Sequence, residues 1–142
     1  MLSAEPQIVE AYVLTGKAKL VFWPVLNHGN PSLYSTVTAE CVAQQDMDAF
    51  WLLHKQLFEN QFELWGADRD YFVNAAVNVG VDQATFERCY DDGAAVATVM
   101  ALDGIRRDRG IFTQPVFDIN GHVFYGAHPF ETYAGVIESF LP

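Results

Sequence analysis

Cations are scarce in this sequence. Eight lysines and arginines face 18 aspartates and glutamates, for a formal net charge of −10. Nucleic-acid binding draws its affinity from basic side chains that neutralise phosphates, so this balance argues against such a partner. No apolar run approaches the roughly 18 to 20 residues of a membrane-spanning helix. Glycine-rich phosphate loops and the Gly-x-Ser-x-Gly elbow are missing. The four histidines, His28, His54, His122 and His128, are not paired at metal-ligand spacing, so no metal and no cofactor is expected. Only two cysteines occur, Cys41 and Cys89, 48 positions apart, so the sequence holds no Cys-x-x-Cys. The start, Met1-Leu2-Ser3-Ala4-Glu5-Pro6, lacks the basic flank and apolar stretch of a secretory signal, which makes the cytoplasm the default compartment.

What is present suits a folded domain. The chain has 142 residues, enough for a core, and aromatics make up 14% of them, so that core should be built on Phe, Tyr and Trp. Ile8, Val9, Tyr12 and Val13 have helical spacing over residues 5–15, and Gly16 is a helix stop. Residues 18–25, Ala-Lys-Leu-Val-Phe-Trp-Pro-Val, form a near-continuous apolar run that predicts a strand buried on both faces. Turn residues follow at 27–31.

A helical region is expected from about 32 to 110. Asp46 is placed to cap the helix that contains Phe50, Leu53 and Leu57. Gly66 to Asp70 breaks the pattern, Gly80-Val81-Asp82 ends one helix and starts the next, and Asp92-Gly93 ends that one. Arg106, Arg107 and Arg109, interleaved with Asp103 and Asp108, read as a solvated helix end. His54 reads as a packed helix residue. The last third turns to β: residues 115–119 and 122–125 are strands about Asn120-Gly121, whose positions favour positive φ. Phe130, Tyr133, Ala134, Ile137, Phe140 and Leu141 form the apolar stripe of a closing helix behind Pro129. The fold class is therefore α/β, with a large helical insertion.

Cys41 and Cys89 both fall inside predicted helices, next to apolar residues such as Val42 and Phe86. The residues alone leave open a disulfide between two helices, a pair of buried thiols and a distributed redox pair. Pro115, taken alone, is a proline that opens a strand.

Several segments in this order resemble the DsbA-like thiol-disulfide oxidoreductases. They are Tyr12 to Phe22; Phe50-Trp51 with His54, Leu57, Phe58, Asn60 and Gln61; Val79-Gly80-Val81-Asp82 with Phe86 and Cys89; Gly110 to Gly121; and Gly126-Ala127. The resemblance covers essentially the whole chain. It implies one thioredoxin-like domain over 1–142 with the helical insertion at about 32–110, between the second strand and the C-terminal hairpin. The family's first strand and its Cys-x-x-Cys have no counterpart, as in an N-terminally shortened reading. The residue before the proline is Gln114, where many relatives carry Thr or Val.

From the resemblance, Cys41 and Cys89 are expected to form a structural disulfide, and such a bridge fits the extracytoplasmic compartments where the family often works. It also implies a cis bond before Pro115, in a loop where Thr113, Gln114 and Pro115 dock an extended peptide by backbone pairing. The implied partners are protein or peptide thiols, and the chain as written is expected to be redox-inactive. The rival functions are a non-catalytic peptide- or partner-binding module and an isomerase or transferase acting on small thiol conjugates. Without the first strand, the strands at 18–25 and 116–119 would leave backbone groups unpaired in the core, at about 1–3 kcal/mol each. Three resolutions are expected: an N-terminally shortened reading of a longer protein, which is favoured, direct closure of the two flanking strands, or another chain, such as a second copy in a homo-oligomer, filling the slot.

Overall fold

The computed structural model describes residues 4–142. Its elements run α1 (Glu5–Ile8), a π-helical turn (Val9–Val13), α2 (Asn30–Ala43), α3 (Met47–Glu59), a 3-10 turn (Glu63–Trp65), α4 (Arg69–Asn78), α5 (Gln83–Asp91), α6 (Ala94–Asp108), β1 (Val116–Ile119), β2 (His122–Tyr125) and α7 (Phe130–Ser139). This is an α/β architecture with a helical insertion and a small antiparallel sheet. Two compact units are distinguished. One comprises the residues up to Trp23 together with Arg107–Pro142, and the other is Pro24–Arg106.

The first unit is built on an aromatic core. Ile8 and Tyr12 pack with Tyr133, Ala134 and Ile137 of α7, and Phe117 and Phe124 of the hairpin lie against that cluster. Leu14 N–H donates to the Val9 carbonyl, the five-residue step of a π turn, at 2.9 Å. The Tyr12 hydroxyl donates to Glu138 Oε1 at 2.8 Å. Gly16 then takes φ 74°, which ends the helical segment as the sequence suggests. The predicted stripe on α7 is shorter than expected, because Phe140 caps the helix and stands 45% exposed.

The second unit is all helix. Aspartates start three of its helices, α3, α4 and α5, by accepting from free backbone donors: Asp46 from Asp48 and Ala49, Asp68 from Tyr71, and Asp82 from Thr85. Leu53, Val37, Val42, Phe72, Phe86 and Val99 are its large fully buried apolar side chains. Each contributes about 1.5–3 kcal/mol by leaving water.

The strand expected over 18–25 is not formed. Those residues carry no regular secondary structure, and Val21 is 63% exposed. The physical reason is that a strand exists only through its neighbour. Among the described residues the sheet consists of β1 and β2, and 18–25 adds no strand to it.

The second correction concerns the basic cluster. Arg106 is not solvated: it is 2% exposed and grips Asp103 Oδ1 through Nε at 2.9 Å and Nη2 at 2.6 Å. The same carboxylate oxygen accepts from Leu26 N–H at 3.0 Å, and Arg106 Nη2 donates to Asn27 Oδ1 at 3.4 Å. Ala95, Val99, Asp103 and Arg106 are the buried residues of α6 and follow each other at four- and three-residue steps. The ion pair therefore continues the apolar stripe inward, where charges persist only if paired.

Candidate functional site

The loop from α6 to β1 is built from its two ends. Gly110 takes φ 73°, and its N–H donates to the Arg107 carbonyl at 2.9 Å, so the chain turns out of the helix there. Ile111 to Gln114 follow without regular structure, with Phe112, Thr113 and Gln114 exposed. The Gln114–Pro115 bond is cis, and Pro115 is half-buried.

The hairpin beyond the loop holds it in place. Gly126 N–H donates to the Pro115 carbonyl at 2.9 Å. The register pairs Val116 with Tyr125, Phe117 with Phe124, Asp118 with Val123 and Ile119 with His122. Asn120 and Gly121 take φ 49° and 94° in the two-residue turn. Asp118 Oδ1 accepts from Gly121 N–H at 2.8 Å, and Asp118 Oδ2 accepts from Arg109 Nη2 at 2.6 Å. Those two bonds, the arginine first, hold the Asp118 carboxyl below the usual aspartate range. On the inner face, Tyr133 packs on Phe117 at 4.5 Å and on Phe124 at 5.4 Å, and its hydroxyl accepts from His128 N–H at 3.1 Å.

Antiparallel pairing alternates between residues that exchange hydrogen bonds and residues whose backbone groups face outward. With Pro115 and Gly126 bonded, Phe117–Phe124 exchange bonds, and the N–H and C=O groups of Val116 and Asp118 face the outer edge of β1. Among the described residues nothing pairs with those groups. The β2 edge differs, because His128 Nε2 sits 3.1 Å from the Tyr125 carbonyl.

The three residues named from the sequence, Thr113, Gln114 and Pro115, therefore stand together at the head of an open-edged strand. Cys41 and Cys89 lie elsewhere, in the helical unit. They are bonded to each other, with Cys41 fully buried on α2 and Cys89 half-buried on α5. Neither is a thiol available for attack. His54 is buried on α3, with its ring 4.7 Å from Phe58 and 5.3 Å from Trp51, and is packed there as the sequence suggests. Sequence reasoning missed Asp103 and Arg106, although their place on the stripe begun by Ala95 and Val99 was a usable signal. Among the described residues, no group of three or more His, Cys, Asp or Glu side chains could hold a metal ion. No helix among them is long and apolar enough to cross a membrane.

Residues 2–139 match the family described as "Thioredoxin". A 56-residue stretch is 36% identical to "Disulfide bond formation protein D" of Bacillus subtilis (strain 168). That stretch covers 39% of this chain and 25% of the relative, so the chain spans about a quarter of the length of the curated relative it matches. No solved structure matches.

Proposed function

Because the chain belongs to the thioredoxin family over nearly its whole length, we propose that it serves thiol-disulfide exchange as the part that docks the polypeptide substrate. Thr113, Gln114 and Pro115 are the docking residues, and the DsbA-like branch is the closest functional type. The observation that carries this reading is that Thr113 and Gln114 are exposed residues of an irregular loop leading directly into β1. An extended peptide laid along that loop exchanges main-chain hydrogen bonds with it, which gives affinity with little demand on sequence. The name of the Bacillus relative fits a protein-thiol substrate.

Exchange itself needs an attacking thiolate and a resolving thiol within reach of each other. The two cysteines of these 142 residues are tied to one another, and Cys41 is 0% exposed. The dithiol of the reaction is therefore supplied by another segment or protein, and these residues alone bind without turnover. The same observation favours a second reading, a binding module that performs no redox step at all.

Two measurements test the proposal. The 142-residue chain should not accelerate reduction of insulin by dithiothreitol, and acceleration would overturn the assignment of the dithiol to another segment. A photocrosslinker at position 113 should capture an extended cysteine-containing peptide, and N-methylation of alternate peptide amides should abolish capture. Equal capture of the N-methylated peptide would remove backbone pairing as the docking mode. The insulin assay also separates the readings: an added Cys-x-x-Cys partner that gains insulin-reducing activity only with this chain present supports the exchange role, and peptide capture without any gain supports the module.

A further inference from the structure

A second surface, in the helical unit, has features of a docking site. Phe62 is 85% exposed and Trp65 is 67% exposed. Single exposed apolar residues are ordinary, but these two share one short turn. Phe62 has helical φ and ψ and begins the 3-10 turn Glu63–Trp65. In such a turn, positions three apart eclipse one another, so the two side chains leave the backbone on the same side, from positions about 6 Å apart along the axis.

The turn is held from several sides. Glu63 N–H donates to the Asn60 carbonyl at 2.9 Å, Gly66 N–H donates to the Glu63 carbonyl at 3.1 Å, and the Tyr71 hydroxyl donates to Glu63 Oε2 at 3.2 Å. The Trp65 ring lies 6.2 Å from that of His28. Two large aromatics on a pinned turn present apolar area at little entropic cost.

The charge around them is one-sided. The flanking residues 59–70 hold Glu59, Glu63, Asp68 and Asp70 against one arginine. That arginine, Arg69, is bound to Asp91 at 2.7 Å and to Glu87 at 3.3 Å. The unit as a whole, Pro24–Arg106, has 12 carboxylates and 4 cations, and so carries −8 of the chain's −10.

We propose that the Phe62–Trp65 face binds a cationic, apolar polypeptide segment, with its side chains against the two rings and its lysines or arginines among the flanking carboxylates. Aromatic faces also attract such cations directly, and the field of the unit raises the encounter rate. This site goes beyond the proposed docking loop and stands without it.

The test is fluorescence anisotropy on the full chain with a labelled peptide alternating lysine and leucine. Its counterpart alternating glutamate and leucine serves as the control. The lysine peptide should bind, binding should weaken as salt rises, and the glutamate peptide should not bind. Phe62→Ser with Trp65→Ser should weaken binding by about tenfold or more, the loss expected when central aromatic anchors are removed. Both side chains are mostly in water, so the double variant should keep the wild-type melting temperature, and Pro115→Ala should leave this binding unchanged. Unchanged affinity in the double variant, or equal binding of the glutamate peptide, would overturn the proposal. So would a change in oligomeric state caused by the double variant, which would make the occupant a second copy of this chain. Binding to phosphatidylcholine vesicles lost with Phe62 and Trp65, without peptide binding, would make it a lipid surface and overturn the proposal equally.

Discussion

Asp103 and Arg106 are the clearest case of single side chains fixing more than themselves. Their pair is almost fully buried, and the carboxylate also holds Leu26 N–H, so one ion pair ties the segment before α2 to α6. Removing one member strands the other charge in the interior. Asp103→Ala should lower the unfolding free energy by about 3–5 kcal/mol, whereas Asp103→Leu with Arg106→Leu should lie much closer to wild type. Urea titrations of the three proteins check this ordering. A charge pair three residues apart in a helix is invisible as a core element by composition, which is why the sequence reading left Arg106 in solvent. Asp118 offers a test by pH. Its carboxyl is held below the ordinary range by Arg109 and by Gly121 N–H, so the folded protein keeps it ionised to lower pH than the unfolded chain does. That stabilisation is complete above the unfolded aspartate value of about 3.9 and is lost as pH falls through the lower folded value. Thermal melts should therefore show wild type and Asp118→Asn converging below about pH 4, with wild type the more stable by about 1 kcal/mol near neutrality.

At the scale of elements, the helix starts were the most legible part of the sequence. Asp46 and Asp82 were identifiable as caps because a short acceptor side chain at a helix start meets donors that have no other partner. Asp82→Ala should cost about 1 kcal/mol in a denaturant titration. The hairpin was equally legible, since Asn120-Gly121 provides both positive-φ positions that its turn uses. The loop proposed for docking could be read only through the resemblance, because Thr113, Gln114 and Pro115 carry no chemistry of their own. The predicted strand at 18–25 failed for the opposite reason: apolar content shows that a segment suits burial but says nothing about whether a neighbour exists to accept its hydrogen bonds. The π turn at Val9–Val13 left no pattern to find. Between α2 and α5, the Cys41–Cys89 link closes a loop with a sequence separation of 48. Loop-closure entropy gives such a link about 4 kcal/mol. Cys41→Ala with Cys89→Ala should lower stability by that order, and thiol counting on the unreduced, denatured protein should find no titratable group.

For the whole molecule, the open question is what meets the outer edge of β1. The sequence suggested unpaired backbone groups inside the core, but the structure puts them on a strand that is half-buried at most, with Asp118 exposed. Their cost in a monomer is therefore less a desolvation penalty than an invitation to pair with another strand, which is how exposed edges lead to association. Asp118, bound to Arg109, is the one charged residue along that edge, and Val116 and Ile119 flank it with β-branched side chains. We expect a second copy of the chain to add to this edge, giving a continuous sheet across a two-fold axis. Two copies each carrying −10 repel one another, so association should strengthen as salt screens that field. The opposite trend is expected for the cationic peptide at Phe62 and Trp65, and salt therefore distinguishes the two surfaces. Melting temperature should rise with protein concentration, and light scattering should report dimer at the upper end. Val116→Pro, which removes an outward N–H that the hairpin itself does not use, should abolish the concentration dependence. A cooperative melt of a monomer, independent of concentration at both low and high salt, would show that the edge of β1 needs no partner strand.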